Sequence, residues 1–289
     1  MTIYNLGSIN VDLFYQVPHL PKPGETLSAR GVTEGLGGKG ANMSVAAARA
    51  AARVCHIGAV GSDRVWPRDR LLEYGVDTRH IATLDGQTGT AVIAVDPEGE
   101  NLILLNAGAN ARISDHAISA ALSEAQTGDI CVFQNETNGQ RHAAETAKKM
   151  GLRVCYAAAP FEVSAVRDVL EYLDLLILNE IEAEQLQTGL GTSLDDLPVA
   201  DVLVTLGAKG CRWLGAAGEK TFDALAVEAV DTTGAGDTFT GFWLAGLDRG
   251  MPMEQAIGQA SIAAALMVTR HGTADVIPDL LEVQEFMQR

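Results

Sequence analysis

Short apolar runs, several of them β-branched, recur along the chain at Ile3–Leu6, Val54–Ile57, Ile130–Phe133, Arg153–Tyr156, Leu175–Leu178 and Val202–Thr205. Each is too short for a stable helix, so each predicts a strand. Between them lie longer, Ala-rich stretches with helical periodicity: Ala41–Ala52, Asn138–Met150, Glu180–Gln187, Ala235–Arg249 and Met253–Arg270. From about Gly38 the two patterns alternate, which is the mark of parallel strands joined by crossover helices. The fold class predicted is α/β, a doubly wound and mostly parallel sheet.

Two stretches break the alternation, Val11–Leu36 and Thr88–Leu105. Both lack helical periodicity and carry turn residues. Within the second, Thr90–Val95 and Asn101–Leu105 flank Asp96-Pro97-Glu98-Gly99-Glu100, where Pro and Gly supply turn geometry. A hairpin follows, and with it a small β-sheet lid over one end of the main sheet. No linker-like or low-complexity segment interrupts the chain, so residues 1–289 are expected to form one domain carrying lid segments at about 11–36 and 88–105.

Composition narrows the partners. At 47% apolar and 20% charged residues the chain has ample material for a core, and its formal charge of −16 would repel a nucleic-acid backbone. No basic run offsets that charge, so no nucleic-acid partner is expected. A nucleotide remains compatible, because backbone amides and helix N-termini attract phosphate locally. Cys55, Cys131, Cys155 and Cys211 are widely spaced within or beside apolar runs, which predicts buried, reduced thiols rather than a metal site or disulfides. The start, Met1–Asp12, has no signal-peptide pattern, and Ile257–Val268 is too short and too polar for a membrane span. A soluble cytoplasmic protein with no membrane contact is expected.

The sharpest candidate for chemistry is Asp231-Thr232-Thr233-Gly234-Ala235-Gly236-Asp237, followed at once by an apolar helical stretch. Small residues at a helix start leave amides free to hold the charge of a transferring phosphoryl group, with the helix dipole in support. Asp237 then stands where a base would take the proton of an attacking hydroxyl. The plainer alternative is a tight turn with a first-turn acid. Gly35-Leu36-Gly37-Gly38-Lys39-Gly40 satisfies G-x-G-x-x-G, but no Asp or Glu occurs between Ala41 and Ser62 to serve a dinucleotide ribose, and the P-loop spacing fails as well. Close backbone approach to a polar ligand, with the Asn42 amide as donor and acceptor, is the remaining use beside a bare helix entry. Asn179-Glu180-Ile181-Glu182 follows a strand at the ligand-binding end of such a sheet; it fits either a capping box or a carboxylate near hydrated Mg²⁺. Thr205-Leu206-Gly207-Ala208-Lys209-Gly210 also follows a strand, as a β-turn or a loop along a nucleotide.

Taken in order, these segments resemble the ribokinase-like (PfkB) carbohydrate kinase family over nearly the whole chain. The likeness is carried by Gly7-Ser8-Ile9-Asn10-Val11-Asp12, Gly37–Asn42, Ala107-Gly108-Ala109-Asn110-Ala111, Gln134-Asn135-Glu136, Asn179–Glu184, Thr205–Gly210, Asp231–Asp237 and Val268-Thr269-Arg270-His271-Gly272. It implies an ATP-dependent kinase acting on a small sugar, D-ribose first. Asp237 is then the catalytic base, and the amides of Gly234, Ala235 and Gly236 form the anion hole. The sugar falls to Asn10, Asp12, Gly38, Lys39, Asn42 and Glu136, with Asp12 accepting from two neighbouring hydroxyls. Asn179, Thr205, Gly207, Gly210, Gly236 and Ser261 correspond to nucleotide-binding positions, and Glu182 to the Mg²⁺ motif. An activating K⁺ would be held by Asp231, Thr233, Met267, Arg270 and Gly272, largely through main-chain carbonyls. A homodimer through the lids is implied as well.

The chain departs from the family at Ala157-Ala158-Ala159-Pro160, where Asn is usual at the first position; at Arg64-Val65-Trp66-Pro67, which leads into a shortened segment; and at Val276, where a potassium-binding Ser is usual. Two other readings stay open at this level: a kinase of the same family for another furanose or a nucleoside, and a sugar-binding regulator without catalysis.

Overall fold

The structure is a computed structural model that describes residues 1–288. Its strands are β1 (Thr2–Leu6), β2 (Asn10–Gln16), β3 (Gly31–Gly37), β4 (Arg53–Gly61), β5 (Ile81–Leu84), β6 (Gly89–Val95), β7 (Asn101–Asn106), β8 (Ile130–Phe133), β9 (Arg153–Ala157), β10 (Leu175–Asn179), β11 (Asp201–Thr205), β12 (Cys211–Gly215) and β13 (Gly218–Phe222). The helices are α1 (Lys39–Arg49), α2 (Trp66–Glu73), α3 (Asp115–Leu122), α4 (Gln140–Lys149), α5 (Val163–Val169), α6 (Glu180–Leu190), α7 (Ala235–Asp248), α8 (Met253–Met267) and α9 (Leu280–Met287).

Nine strands form one sheet in the order β13-β12-β11-β10-β9-β8-β1-β4-β5, parallel from β5 through β11 and closed by the antiparallel β12–β13 hairpin. Residues alternate between the two faces, so each apolar strand feeds two cores. Ile3, Val54, Val132 and Ile177 pack toward α1, α7 and α8. Leu6, Ile57, Phe133 and Leu178 pack toward α3, α4, α5 and α6 on the opposite face.

Four strands form a second sheet, β3-β2-β6-β7, from the two stretches that interrupt the alternation. Its central pair, β2 and β6, runs parallel with Asp12 opposite Ala91. The β6–β7 hairpin turns at Asp96–Glu100, where the Asp96 side chain accepts from the amides of Glu98 and Glu100 at 3.0 Å. Strand β7 lies at the sheet edge and is exposed throughout.

All six predicted strands are present, while β5, β12, β13, α2, α3, α5 and α9 were not foreseen. These are short or edge elements whose polar and apolar residues mix without a clear period. Helix α8 ends at Met267 rather than Arg270, because the i→i−4 pattern gives way to i→i−3 bonds from Thr269 to Leu266 O and from Arg270 to Met267 O.

The packing of α1 on α7 sets the geometry of the site. A Cβ on Gly241 would lie 2.5 Å from the Ala46 Cβ and 2.7 Å from the Met43 carbonyl, so only glycine permits this approach. Asn42 and Ala46 share a helix face, as do Asp237 and Gly241. The tight contact therefore brings Asn42 and Asp237 together one turn away. Below them Phe242 and Trp243 are fully buried, and truncating either to Ala would cost about 3–5 kcal/mol.

Candidate active site

The loops after β1, β8, β10 and β11 leave the carboxyl ends of parallel strands, where an open α/β sheet gathers its ligand-binding groups. The first of them enters the lid directly, so Asn10 and Asp12 at the base of β2 lie beside the Gly-rich entry to α1. Gly37 is pressed against the Asp12 carboxylate: a Cβ on Gly37 would fall 2.0 Å from the nearer oxygen. Gly38, at φ +93°, brings the chain past Ser8 and Asn10, where a Cβ would lie 2.8 Å from the Ser8 carbonyl.

Asp237 is 7% exposed and its Oδ2 accepts a 2.9 Å bond from Asn42 Nδ2. Burial raises its pKa, against which the Lys39 charge and the Asn42 bond act in the other direction. Asp12 is 6% exposed, and burial first, then the neighbouring Glu136 and Asp237 charges, push its carboxyl up to about 7. Lys39 is held above its ordinary value, chiefly by Asp237 and further by Glu136, Glu182 and Asp12. Glu136 is oriented by a short bond from Ser8 Oγ and by the Lys39 amide at 3.2 Å. One cation thus sits among carboxylates, a polar cluster suited to a neutral polyhydroxylated ligand that can donate to each of them.

Asn10 is oriented by Asn110, whose Nδ2 donates to its Oδ1 at 2.8 Å, while Asn110 also bonds both backbone groups of Ile9. Ser8 and Asn110 therefore join the candidate site, although their sequence motifs alone assign them no role. Their signal is three-dimensional, because each acts on a partner about a hundred residues away.

At the start of α7 the amides of Gly234, Gly236 and Asp237 find no acceptor among the described residues, and that of Ala235 makes only a 3.3 Å contact with Thr232 O. These donors converge at the positive end of a 14-residue helix, adjacent to the buried carboxylate of Asp237. A Cβ on Gly234 would lie 3.6 Å from Asn42 Nδ2, whereas one on Gly236 meets nothing within 4 Å. The arrangement can receive an anion at the amides and a hydroxyl proton at Asp237.

The potassium-type donors fall on two adjacent loops. Asp231 accepts from the amides of Thr233 at 2.9 Å and Gly272 at 3.2 Å, and the chain at 230–231 donates twice to Val268 O. The carbonyls of Thr233, Arg270 and Gly272 take no hydrogen bond among the described residues, whereas Met267 O accepts from Arg270 N. The Arg270 side chain is engaged elsewhere, with Val276 O and Glu282. Oxygen donors fit a large monovalent cation here. Val276 presents methyl carbons 3.4 and 3.8 Å from where a Gly272 Cβ would be, so position 276 offers no hydroxyl to the shell.

Asn179 and Glu182 form a reciprocal capping box at α6, with bonds of 2.8 and 2.9 Å. This occupies Glu182 Oε2 and leaves Oε1 free; burial raises the pKa of the group. Among the described residues no group of three acidic, His or Cys side chains is placed to hold a metal. A single carboxylate with one free oxygen fits a hydrated Mg²⁺ that takes most of its ligands from elsewhere. Thr205, Gly207 and Gly210 lie at the end of β11 and its turn, with Gly210 at φ +97° where a Cβ would meet Phe222 O at 1.9 Å. Ser261, on α8, donates to Ile257 O at 2.9 Å. No hydrogen bond joins these four to the carboxylate cluster.

The model of the pfkB family carbohydrate kinases matches residues 2–280. A ribokinase of Haemophilus influenzae is 36% identical, with 99% of this chain and 98% of that protein covered. A deoxyribokinase of Salmonella typhimurium is 33% identical, with 99% of each covered. Among solved structures, an Arabidopsis thaliana ribokinase complexed with ribose and ATP superposes with a TM-score of 0.86 at 27% identity, covering 100% of this chain and 98% of that one.

Proposed function

The chain belongs to the pfkB family of carbohydrate kinases, and from that premise we propose that it transfers the γ-phosphoryl group of ATP to D-ribose, giving ribose 5-phosphate. The observation that carries this reading is the buried Asp237, held by Asn42 beside the free amides of Gly234 and Gly236. Asn42 holds Asp237 through Oδ2, and the carboxylate takes the proton of the attacking primary hydroxyl. The amides of Gly234, Ala235 and Gly236 hold the charge that develops on the phosphoryl oxygens. They are fixed before the reaction and need no reorganisation.

Asp12, Glu136, Asn10, Asn42 and the Gly38–Lys39 turn bind and orient the sugar. Two neighbouring hydroxyls donating to Asp12 favour a vicinal diol, and a sugar without one of them would leave a buried acceptor unpaired. This separates ribose from deoxyribose. The nucleotide runs past Asn179, Thr205, Gly207, Gly210 and Ser261. Glu182 would help hold Mg²⁺, which would neutralise phosphate charge. K⁺ between Asp231, Thr233, Met267, Arg270 and Gly272 would steady the loop that leads into the anion hole.

The small sheet closes over the sugar as a lid of a single domain, excluding water. Its edge strand β7 exposes Leu102, Ile103, Leu104 and Leu105 at 37–62%, an apolar edge that a second copy of the lid would cover in a homodimer. All four cysteines are free and buried, which supports a reducing, cytoplasmic setting. No helix of the described residues is long and apolar enough to cross a membrane.

The test is ADP release with Mg-ATP and a panel of D-ribose, 2-deoxyribose, fructose, adenosine and pseudouridine, with and without K⁺. Turnover on ribose well above 2-deoxyribose is expected. Preference for 2-deoxyribose, or silence on ribose with turnover on another sugar, replaces the substrate.

A further inference from the structure

Beneath the site runs a buried polar chain that no step of the transfer uses. Asn5, Ser44, His56 and Gln134 are each between 0% and 1% exposed. His56 Nε2 lies 3.1 Å from the Gly7 carbonyl and His56 Nδ1 lies 2.8 Å from Ser44 Oγ. Asn5 Nδ2 reaches the Gly40 carbonyl at 2.8 Å and Ser44 Oγ at 2.9 Å, while Gln134 Nε2 donates to Asn5 Oδ1 at 2.9 Å.

The direction of every bond follows from chemistry. A carbonyl only accepts, so His56 must carry its proton on Nε2 and present Nδ1 as an acceptor. Ser44 then donates to His56 and accepts from Asn5. The amide of Asn5 is likewise fixed by the Gly40 carbonyl. Burial keeps the imidazole neutral by lowering its pKa to about 4.

Both ends of the chain grip backbone at one place. Gly7 and Gly40 cross so closely that a Cβ on Gly40 would lie 2.3 Å from the Gly7 Cα. On one side of this crossing Ser8 Oγ, 3.3 Å from the Gly40 amide, orients Glu136. On the other side α1 carries Lys39 and Asn42, and Asn42 holds Asp237. We propose that Asn5, Ser44 and His56 are positioning residues for the sugar site: their hydrogen-bonded chain fixes the Gly7–Gly40 crossing and through it the placement of Glu136, Lys39 and Asn42. The proposal rests on the sugar-kinase reading. The nucleotide loops after β10 and β11 make no bond to this chain, so its loss should be felt by the sugar and not by ATP.

The experiment compares steady-state kinetics of Ser44→Ala, His56→Leu and the double variant with the wild type, using the sugar that the wild type turns over best. Loss of one buried bond from an organised site should raise the sugar KM about tenfold. The ATP KM should stay within about twofold, and the double variant should be no worse than the worse single one, since both break a single chain. Ser44→Ala removes one atom from a helix and is the variant read if His56→Leu does not fold. A sugar KM within twofold of wild type in Ser44→Ala, equal shifts in both KM values, or additive effects would overturn the proposal. Absence of any sugar turnover by the wild type would instead overturn the functional reading, so the two failures are told apart.

Discussion

Replacing Asp12 by Asn should stabilise the empty enzyme while disabling it. In the fold, burial together with the Glu136 and Asp237 charges raises the Asp12 carboxyl from 3.8 to about 7. Below the unfolded value both states are protonated and the residue is neutral in each. As pH climbs from about 4 to 7 the unfolded chain releases this proton while the fold retains it, so stability is lost across that window and the loss levels off above it. At about 1.4 kcal/mol per decade, the gap reaches an upper bound of roughly 4 kcal/mol. Asn carries no charge to desolvate and fits the same space. Without sugar, Asp12→Asn should therefore melt with the wild type near pH 4 and up to roughly 8 °C above it at pH 8, at about 2 °C per kcal/mol for a chain of this size. Differential scanning calorimetry across this range is the assay, with isothermal titration of ribose alongside to show lost binding. A gap that does not grow with pH, or a variant less stable than wild type at pH 8, would refute the electrostatic account of the site.

Asp237→Asn should leave ribose affinity nearly intact, by titration calorimetry, and lower kcat by roughly 10²–10⁴-fold in the ADP-release assay. Gly236→Ala should fold normally, since a Cβ there meets nothing within 4 Å. It should nevertheless slow turnover by at least about tenfold, because it adds a methyl group to a residue that carries one of the free anion-binding amides; an unchanged kcat would move the anion hole elsewhere. Leu104→Asp, on the exposed edge strand, should shift the protein from dimer to monomer in light-scattering chromatography without unfolding it.

The main sheet was legible because six of its strands are mostly apolar runs buried on both faces, with few polar interruptions. The β12–β13 hairpin was not, since Arg212, Glu219 and Lys220 reach solvent at the sheet edge and break the pattern. Helices α2, α3, α5 and α9 escape for a different reason: each is eight residues or fewer, too short to show a period. Within the site, Asp237 and the small residues before it carry a local signature, and the structure brings Asp12, Lys39, Asn42, Glu136 and Asp237 into one electrostatic cluster. Glu182 shows why one motif can sustain two readings, because its capping bond uses a single carboxylate oxygen. The buried Asn5–Ser44–His56 chain left no trace in the sequence, as each member looks like an isolated polar residue in an apolar run.

The four-stranded sheet is threaded through the body of the protein rather than appended to it. Strand β2 follows β1 after three residues, β3 runs into α1 through Gly38, β6 follows β5 after four residues, and β7 returns through the turn at Gly108–Arg112. Three of these junctions adjoin groups of the proposed sugar site: Asn10, Lys39 and Asn110, which orients Asn10. A recombination that exchanged this sheet between relatives would need four simultaneous splices, three of them beside these groups. Such a sheet cannot travel as a cassette, so changes of acceptor in this architecture must accumulate residue by residue in place, under the constraint that every intermediate still closes.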